Sequence, residues 1–255
     1  MAPPARPLVS FLIGGAQKAG TSALAQYLQR HPRIRLPREK EAHVFDAPET
    51  DWSVAAVNAR YATCFEEATD GDGVLYGDAT PFYLFHRPCV ERIAVYNPKM
   101  RWIVLLRDPA DRALSHYRME RARGRERLPL WLALLLEPLR MRGERDPLAP
   151  GSRLRRHSYR ARGDYARQLD ALYAHFPREQ VLLLRSKDLR TEPARCMAQV
   201  HRFLGFALFA PEEGTYSPVF VGGYPPPGPV TRLLLRWWTA PQRRALRERH
   251  GIVLD

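Results

Sequence analysis

The chain reads as a single α/β domain, doubly wound on a parallel sheet. Three observations predict this. Short apolar runs end in Gly, Asp or Arg and alternate with helix-patterned segments. The first run is followed by a glycine loop and then by a helix, the opening unit of a parallel sheet. At 255 residues, with no internal repeat, the chain is long enough to bury one sizeable core.

The elements follow in order. Val9 to Ile13 is a buried strand ending in Gly14-Gly15. Thr21 or Ser22 starts a helix whose Leu24, Tyr27 and Leu28 share one face, and Pro32 stops it. Val74 to Tyr76 is a second strand, ending at Gly77-Asp78, and Trp102 to Leu106 a third. After Arg107, Asp108-Pro109 supplies an N-cap and a first-turn proline for a helix that runs past Tyr117. A helix bearing Tyr165, Leu169, Leu172, Tyr173 and Phe176 on one face precedes a fourth strand, Val181 to Leu184. Pro193 to Leu204 is a helix closed by Gly205.

Two stretches stand apart. From 118 to 162 there are 13 Arg and 5 acidic residues, a net +8 interrupted by four prolines. This predicts a helical, arginine-rich insertion, a lid or an acceptor wall. The stretch 222–229 is a Gly/Pro-rich loop. Beyond it, Leu233, Leu234, Trp237 and Trp238 predict a short helix packed on the body, with contact to a membrane surface as the alternative.

Hydrophobic content of 45% and charged content of 26% are ordinary for a globular chain, whereas 40 Lys and Arg against 27 Asp and Glu give +13. Such a balance suits a polyanion, a nucleotide with several phosphates or an acidic acceptor; it is equally the pattern of arginines spread over solvated faces. Cys64, Cys89 and Cys196 are too few and scattered for a disulfide framework or a zinc site, and their odd number suggests a reducing, cytoplasmic setting. No run of about 18 apolar residues predicts a membrane span. The N-terminal stretch runs straight into the glycine loop, which reads as a strand rather than a signal peptide.

Gly15-Ala16-Gln17-Lys18-Ala19-Gly20-Thr21-Ser22 has the spacing of a P-loop, where glycines let backbone N–H groups face a phosphate at a helix N-terminus. Thr21 stands where the lysine of an NTPase would be, and the lysine has moved inside the loop, to Lys18. That displacement brings the cation nearer the first phosphate after a ribose and removes the usual Mg²⁺-binding ending. The second phosphate signal is Ile103-Val104-Leu105-Leu106-Arg107-Asp108-Pro109, which places Arg107 at the carboxyl end of a strand with Ser115 two turns into the next helix. Open α/β sheets bind ligands at that end. An arginine there can hold a phosphate bidentately and a serine can add a third bond.

Together the two segments resemble the PAPS-dependent sulfotransferases, enzymes that use 3′-phosphoadenosine 5′-phosphosulfate. The similarity is closest to the branch containing the heparan sulfate sulfotransferases. Gln17 to Ser22 is similar to the family's 5′-phosphosulfate loop, and Leu106 to Tyr117 to its 3′-phosphate segment. Glu39-Lys40-Glu41-Ala42-His43-Val44-Phe45-Asp46, Gly77 to Leu84, and Gly163-Asp164-Tyr165 to Asp188-Leu189 are similar to further family segments. The resemblance implies that Gln17, Lys18, Ala19, Gly20, Thr21 and Ser22 hold the 5′ phosphosulfate, and Arg107 and Ser115 the 3′ phosphate. It also implies that Gly222 and Gly223 close over the adenosine. Two positions depart from the branch: Ala79 stands where a lysine is usual, and the 222–224 loop carries no charge.

The resemblance further implies that Lys18 stabilises the charge on the departing phosphate and that Glu41 is the general base. His43 is the competing base; it and Asp46 are otherwise expected to position the acceptor, a hydroxyl or amine on a carbohydrate or small metabolite. No metal is expected. Two rival readings remain: a P-loop kinase or NTPase, which lacks its Gly-Lys-Ser/Thr here, and a basic nucleic-acid binder. Few aromatics interleave with the arginines of 118–162, so nucleic acid is not the expected partner.

Overall fold

The structure, a computed structural model, describes residues 8–66, 73–142, 144, 146–149, 151–207, 216 and 227–254. Five strands form one parallel sheet in the order β2-β3-β1-β4-β5: β1 (Val9–Gly15), β2 (Ile34–Arg35), β3 (Leu75–Asp78), β4 (Arg101–Leu106) and β5 (Val181–Arg185). Four are the strands predicted from the apolar runs. The fifth, β2, is two residues long and carries no periodic signal. Central β1 pairs with β3 on one side and β4 on the other, so both its edges are satisfied, and Phe11, Leu12 and Ile13, which point to alternate faces, are all fully buried, as in a parallel sheet covered on both faces.

The chain divides into two compact units, Met1–Leu106 with Gln168–Val221 and Arg107–Arg167 with Gly222–Asp255. The first holds the sheet together with α1 (Thr21–Gln29), α2 (Val54–Ala62), α3 (Phe82–Phe85) and α4 (Arg87–Tyr96). Close packing dictates two glycines here. A Cβ on Gly14 would lie 2.3 Å from the Trp102 ring, and one on Gly77 2.2 Å from the Phe11 ring.

The second unit opens with α5 (Pro109–Ala122), capped as predicted: the Asp108 carboxylate accepts from the N–H groups of Ala110 and Asp111, and Pro109 occupies the first turn. Short helices α6 (Leu130–Leu135), α7 (Glu137–Met141) and α8 (Arg153–His157) follow. Helix α9 (Tyr165–Tyr173) leads back to the first unit, whose α10 (Ser186–Thr191) and α11 (Pro193–Leu204) come after β5. Gly205, at φ 84°, closes α11 as the sequence predicts.

The last helix corrects the sequence reading. It is not short: α12 spans Pro229–His250, 22 residues. Leu235 and, in part, Trp238 join α5 and α6 in an apolar cluster with Ala113, Leu114, Leu134 and Tyr159. Leu233, Leu234 and Trp237, expected to pack, are exposed instead. No helix among the described residues is long and apolar enough to cross a membrane.

Candidate active site

The predicted phosphate loop lies in the first unit, between β1 and α1. The Ala16 N–H donates to the Leu105 carbonyl (2.8 Å), tying the loop to β4. Lys18 sits in the left-handed region at φ 70° and Gly20 at φ 103°. A lysine rarely adopts that conformation, and its use here orients the residue within a tight turn. Helix α1 begins at Thr21 with no side-chain cap, so its first-turn N–H groups and helix dipole remain available to an anion. Gln17, Lys18 and Ser22 are partly exposed, whereas Ala19 and Thr21 are buried. The Ala19 N–H is already donated to the Ala16 carbonyl (3.1 Å).

The predicted acid-base strap meets this loop. Lys40 Nζ lies 3.4 Å from Thr21 Oγ1 and donates to Glu41 Oε1 at 2.9 Å. The other Glu41 oxygen faces His43 Nε2 at 3.4 Å, and His43 Nδ1 meets Asp46 Oδ2 at 2.8 Å. Asp46 is buried and His43 is exposed, so the aspartate orients the imidazole from behind. Thr21, Lys40, Glu41, His43 and Asp46 thus form one continuous polar chain running outward from the phosphate loop.

A buried carboxylate that sequence reasoning gave no role holds the strap in place. Asp78, at the end of β3, accepts from the Thr80, Tyr83 and Tyr61 hydroxyls at 2.8, 2.8 and 2.9 Å. Its Oδ1 also lies 3.4 Å from the Ala42 N–H, while the His43 N–H reaches Thr80 Oγ1 at 3.4 Å. Burial raises the Asp78 pKa, and the three hydroxyl bonds only partly oppose that rise. The signal was present in Gly77-Asp78-Ala79-Thr80, but the partners Tyr61 and Tyr83 become visible only in three dimensions. Ala79, at the position where a lysine is usual, is fully buried. Lys40 is the cation that reaches the loop from the strap.

Arg107 and Ser115 belong to the second unit, the first just before the Asp108 cap of α5 and the second within that helix, and both are partly exposed. Gly222 and Gly223 lie outside the described residues. Among the described residues no group of three or more His, Cys, Asp or Glu could hold a metal ion.

Residues 9–217 match the family model described as the sulfotransferase domain. The chain belongs to that family. Its enzymes take the sulfuryl group from PAPS and work without a metal. A crystal structure of a sulfotransferase from Alicyclobacillus acidocaldarius superposes with a TM-score of 0.74 at 31% identity, covering 96% of this chain and 95% of that one. The heparan sulfate glucosamine 3-O-sulfotransferase 3B1 of Homo sapiens is 28% identical over 83% of this chain. The bifunctional heparan sulfate N-deacetylase/N-sulfotransferase 2 of Bos taurus is 28% identical over 79%. The chain spans 50% of the first of these curated relatives and 22% of the second.

Proposed function

We propose that this sulfotransferase moves a sulfuryl group from PAPS to a hydroxyl or amine of a carbohydrate acceptor, with Glu41 as the general base. The observation that carries the proposal is the polar chain from Thr21 through Lys40 to Glu41, which sets a carboxylate beside the phosphate loop. The loop suits the donor: the uncapped α1 N-terminus, Lys18 in its left-handed turn and the nearby Lys40 together offer donors and positive charge to a phosphosulfate.

When bound, PAPS supplies the sulfuryl group and leaves as the 3′,5′-bisphosphate. Lys18 and the α1 N-terminus stabilise negative charge at the 5′ side, the largest electrostatic demand of such a transfer. Glu41 accepts the proton of the attacking hydroxyl or amine, a role that typically contributes about 10²–10⁴-fold. His43, held by Asp46, and Lys40 fix the two Glu41 oxygens, and His43 is exposed on the side an acceptor would approach. Arg107 and Ser115 are assigned to the 3′ phosphate, which selects PAPS over ordinary adenylates.

The carbohydrate class is supported by the two heparan sulfate enzymes among the relatives. Mass spectrometry for the gain of one sulfuryl group tests it, with PAPS and a panel of glucosamine-containing oligosaccharides, monosaccharides and phenols. Sulfation of phenols alone would remove the carbohydrate reading. Sulfation of nothing, together with binding of ATP in preference to PAPS, would remove the reaction itself.

A further inference from the structure

Helix α12 presents two apolar faces, and protein covers one of them. Leu235, Thr239 and Leu246 point inward and are buried. On the opposite side Val230, Leu233, Leu234 and Trp237 follow the i, i+3, i+4, i+7 spacing of a single helical stripe. Their exposures are 69%, 70%, 41% and 69%. An isolated exposed leucine needs no explanation, but four large apolar groups in one stripe, a tryptophan among them, mark an interaction surface. The helix also lies beyond residues 9–217, the part matched by the family.

Charge selects the occupant. The helix carries Arg232, Arg236, Arg243, Arg244, Arg247 and Arg249 against the single acid Glu248. Arg243 is committed to Asp108 at 3.3 Å. Arg236 is exposed at the edge of the apolar stripe, Arg232 is exposed on the far side of the helix, and Arg244, Arg247 and Arg249 continue the exposed positive charge beyond the stripe. A second copy of the chain docked stripe to stripe would bring these arginines against their own equivalents, on a protein already at +13. A bilayer with anionic headgroups offers the complement to both features: acyl chains for the Leu and Trp side chains, negative charge for the guanidinium groups. Tryptophan also favours the headgroup level.

We propose that the outward face of α12 docks this protein on an anionic membrane surface. The helix lies in the plane of the headgroups, with Val230, Leu233, Leu234 and Trp237 inserted and the arginines at the phosphate level. This is peripheral binding, distinct from a span, and it is independent of the reaction proposed above.

Co-sedimentation of the full chain tests it, using phosphatidylcholine vesicles with and without phosphatidylserine. Binding is expected on the mixed vesicles and to be tenfold or more weaker on phosphatidylcholine alone. The double substitution Leu233→Ser with Trp237→Ser should lower partitioning by about tenfold or more, with the melting temperature unchanged because both side chains are already exposed. Arg236→Ser and Arg244→Ser should each cost about fivefold. Absence of vesicle binding by the wild type would overturn the proposal. So would binding that survives the apolar double substitution while the arginine variants lose it, which is attraction to a polyanion without insertion. A wild-type dimer in sedimentation equilibrium that becomes a monomer in the double variant, with no vesicle binding, would assign the face to a second copy.

Discussion

Asp78 in the first unit and Glu126 in the second are both buried carboxylates that gather four donors, yet their acidities move in opposite directions. Asp78 is surrounded by three hydroxyls and one amide, all neutral, and burial wins: its pKa is raised. Glu126 accepts from the N–H groups of Arg127 and Leu128 at 2.9 and 3.0 Å, from the Tyr159 hydroxyl at 2.9 Å, and from Arg140 Nη1 at 2.7 Å. Burial pushes it up as well, but the Arg140 guanidinium with the Leu128 N–H and Tyr159 hydroxyl pulls it below the usual carboxylate range. The difference is one cation. The scaffold of the proposed active site is fixed by neutral hydrogen bonds, which leaves Lys18 and Lys40 as the cations of the loop and strap. The arginine-rich region spends part of its positive charge on its own carboxylates: Arg140 on Glu126, and Arg123 and Arg125 on Glu120. These pairs engage three of the thirteen arginines of 118–162 and are already cancelled in its net +8, so the excess charge lies on the other arginines.

The largest effect expected from this division belongs to the strap. Glu41→Gln keeps the shape and the Lys40 contact while removing the proposed base, so kcat should fall by about 10²–10⁴-fold with donor affinity close to wild type. A near-normal kcat in Glu41→Gln, with His43→Ala inactive, would move the base to His43 and recast Glu41 as its support.

The next effect lies at the start of α5. Arg107→Ala should weaken the 3′,5′-bisphosphate by tenfold or more, since a hydrogen bond to a charged group contributes about 1.5–3 kcal/mol. A nucleotide lacking the 3′ phosphate should bind equally well to both proteins in calorimetry. Equal losses for both nucleotides would return Arg107 to a merely structural role.

Substituting the two buried carboxylates sharpens the comparison directly. Glu126→Gln strands the Arg140 guanidinium and should cost roughly 1–3 kcal/mol in denaturant unfolding near neutral pH. Asp78→Asn should cost less, because it removes a charge whose burial is unfavourable and keeps an acceptor oxygen and a donor amide for the hydroxyls. Its mark should appear in turnover instead, through a loosened Ala42–His43 strap. If Asp78→Asn proves the more destabilising of the two, neutral donors hold a charge as firmly as a guanidinium does, and the contrast fails.

The sheet and the glycine loop between β1 and α1 were legible in sequence because their signals are local. Apolar runs, displaced Lys18 and the Asp108-Pro109 cap each depend on neighbours within a few positions. Strand β2 escaped because two residues carry no period. Asp78 escaped because Tyr61 reaches it from helix α2 and Tyr83 from five positions on, and a lone aspartate after Gly77 reads as a turn. The outward face of α12 was misread for a physical reason as well: its inward and outward residues are both apolar, so periodicity could not tell which side meets the core. The polar chain from Thr21 to Asp46 was half legible. Glu41, His43 and Asp46 stand close in sequence, but the bridge from Lys40 to Thr21 spans 19 positions.

The smallest effect expected is a pH dependence beside Glu126. His157 is buried, with Nδ1 3.3 Å from the Tyr159 hydroxyl and 3.5 Å from Glu126 Oε2. Burial first, then the field of Arg140, lowers its pKa from the ordinary 6.5 to about 4, and the Glu126 charge only partly opposes this. The folded protein therefore keeps the imidazole neutral at pH values where the unfolded chain protonates it. Between about 6.5 and about 4 the unfolded state binds the extra proton, so this contribution to stability is complete above 6.5 and declines as the pH falls through that window. His157→Gln removes the titration while keeping a polar group near Tyr159. The stability advantage of wild type over this variant should thus shrink on going from pH 7 to pH 5 in chemical unfolding. Growth of the advantage instead would mean that the Glu126 carboxylate dominates burial and the arginines at this ring and holds His157 as a cation, a second positive partner for Glu126 beside Arg140.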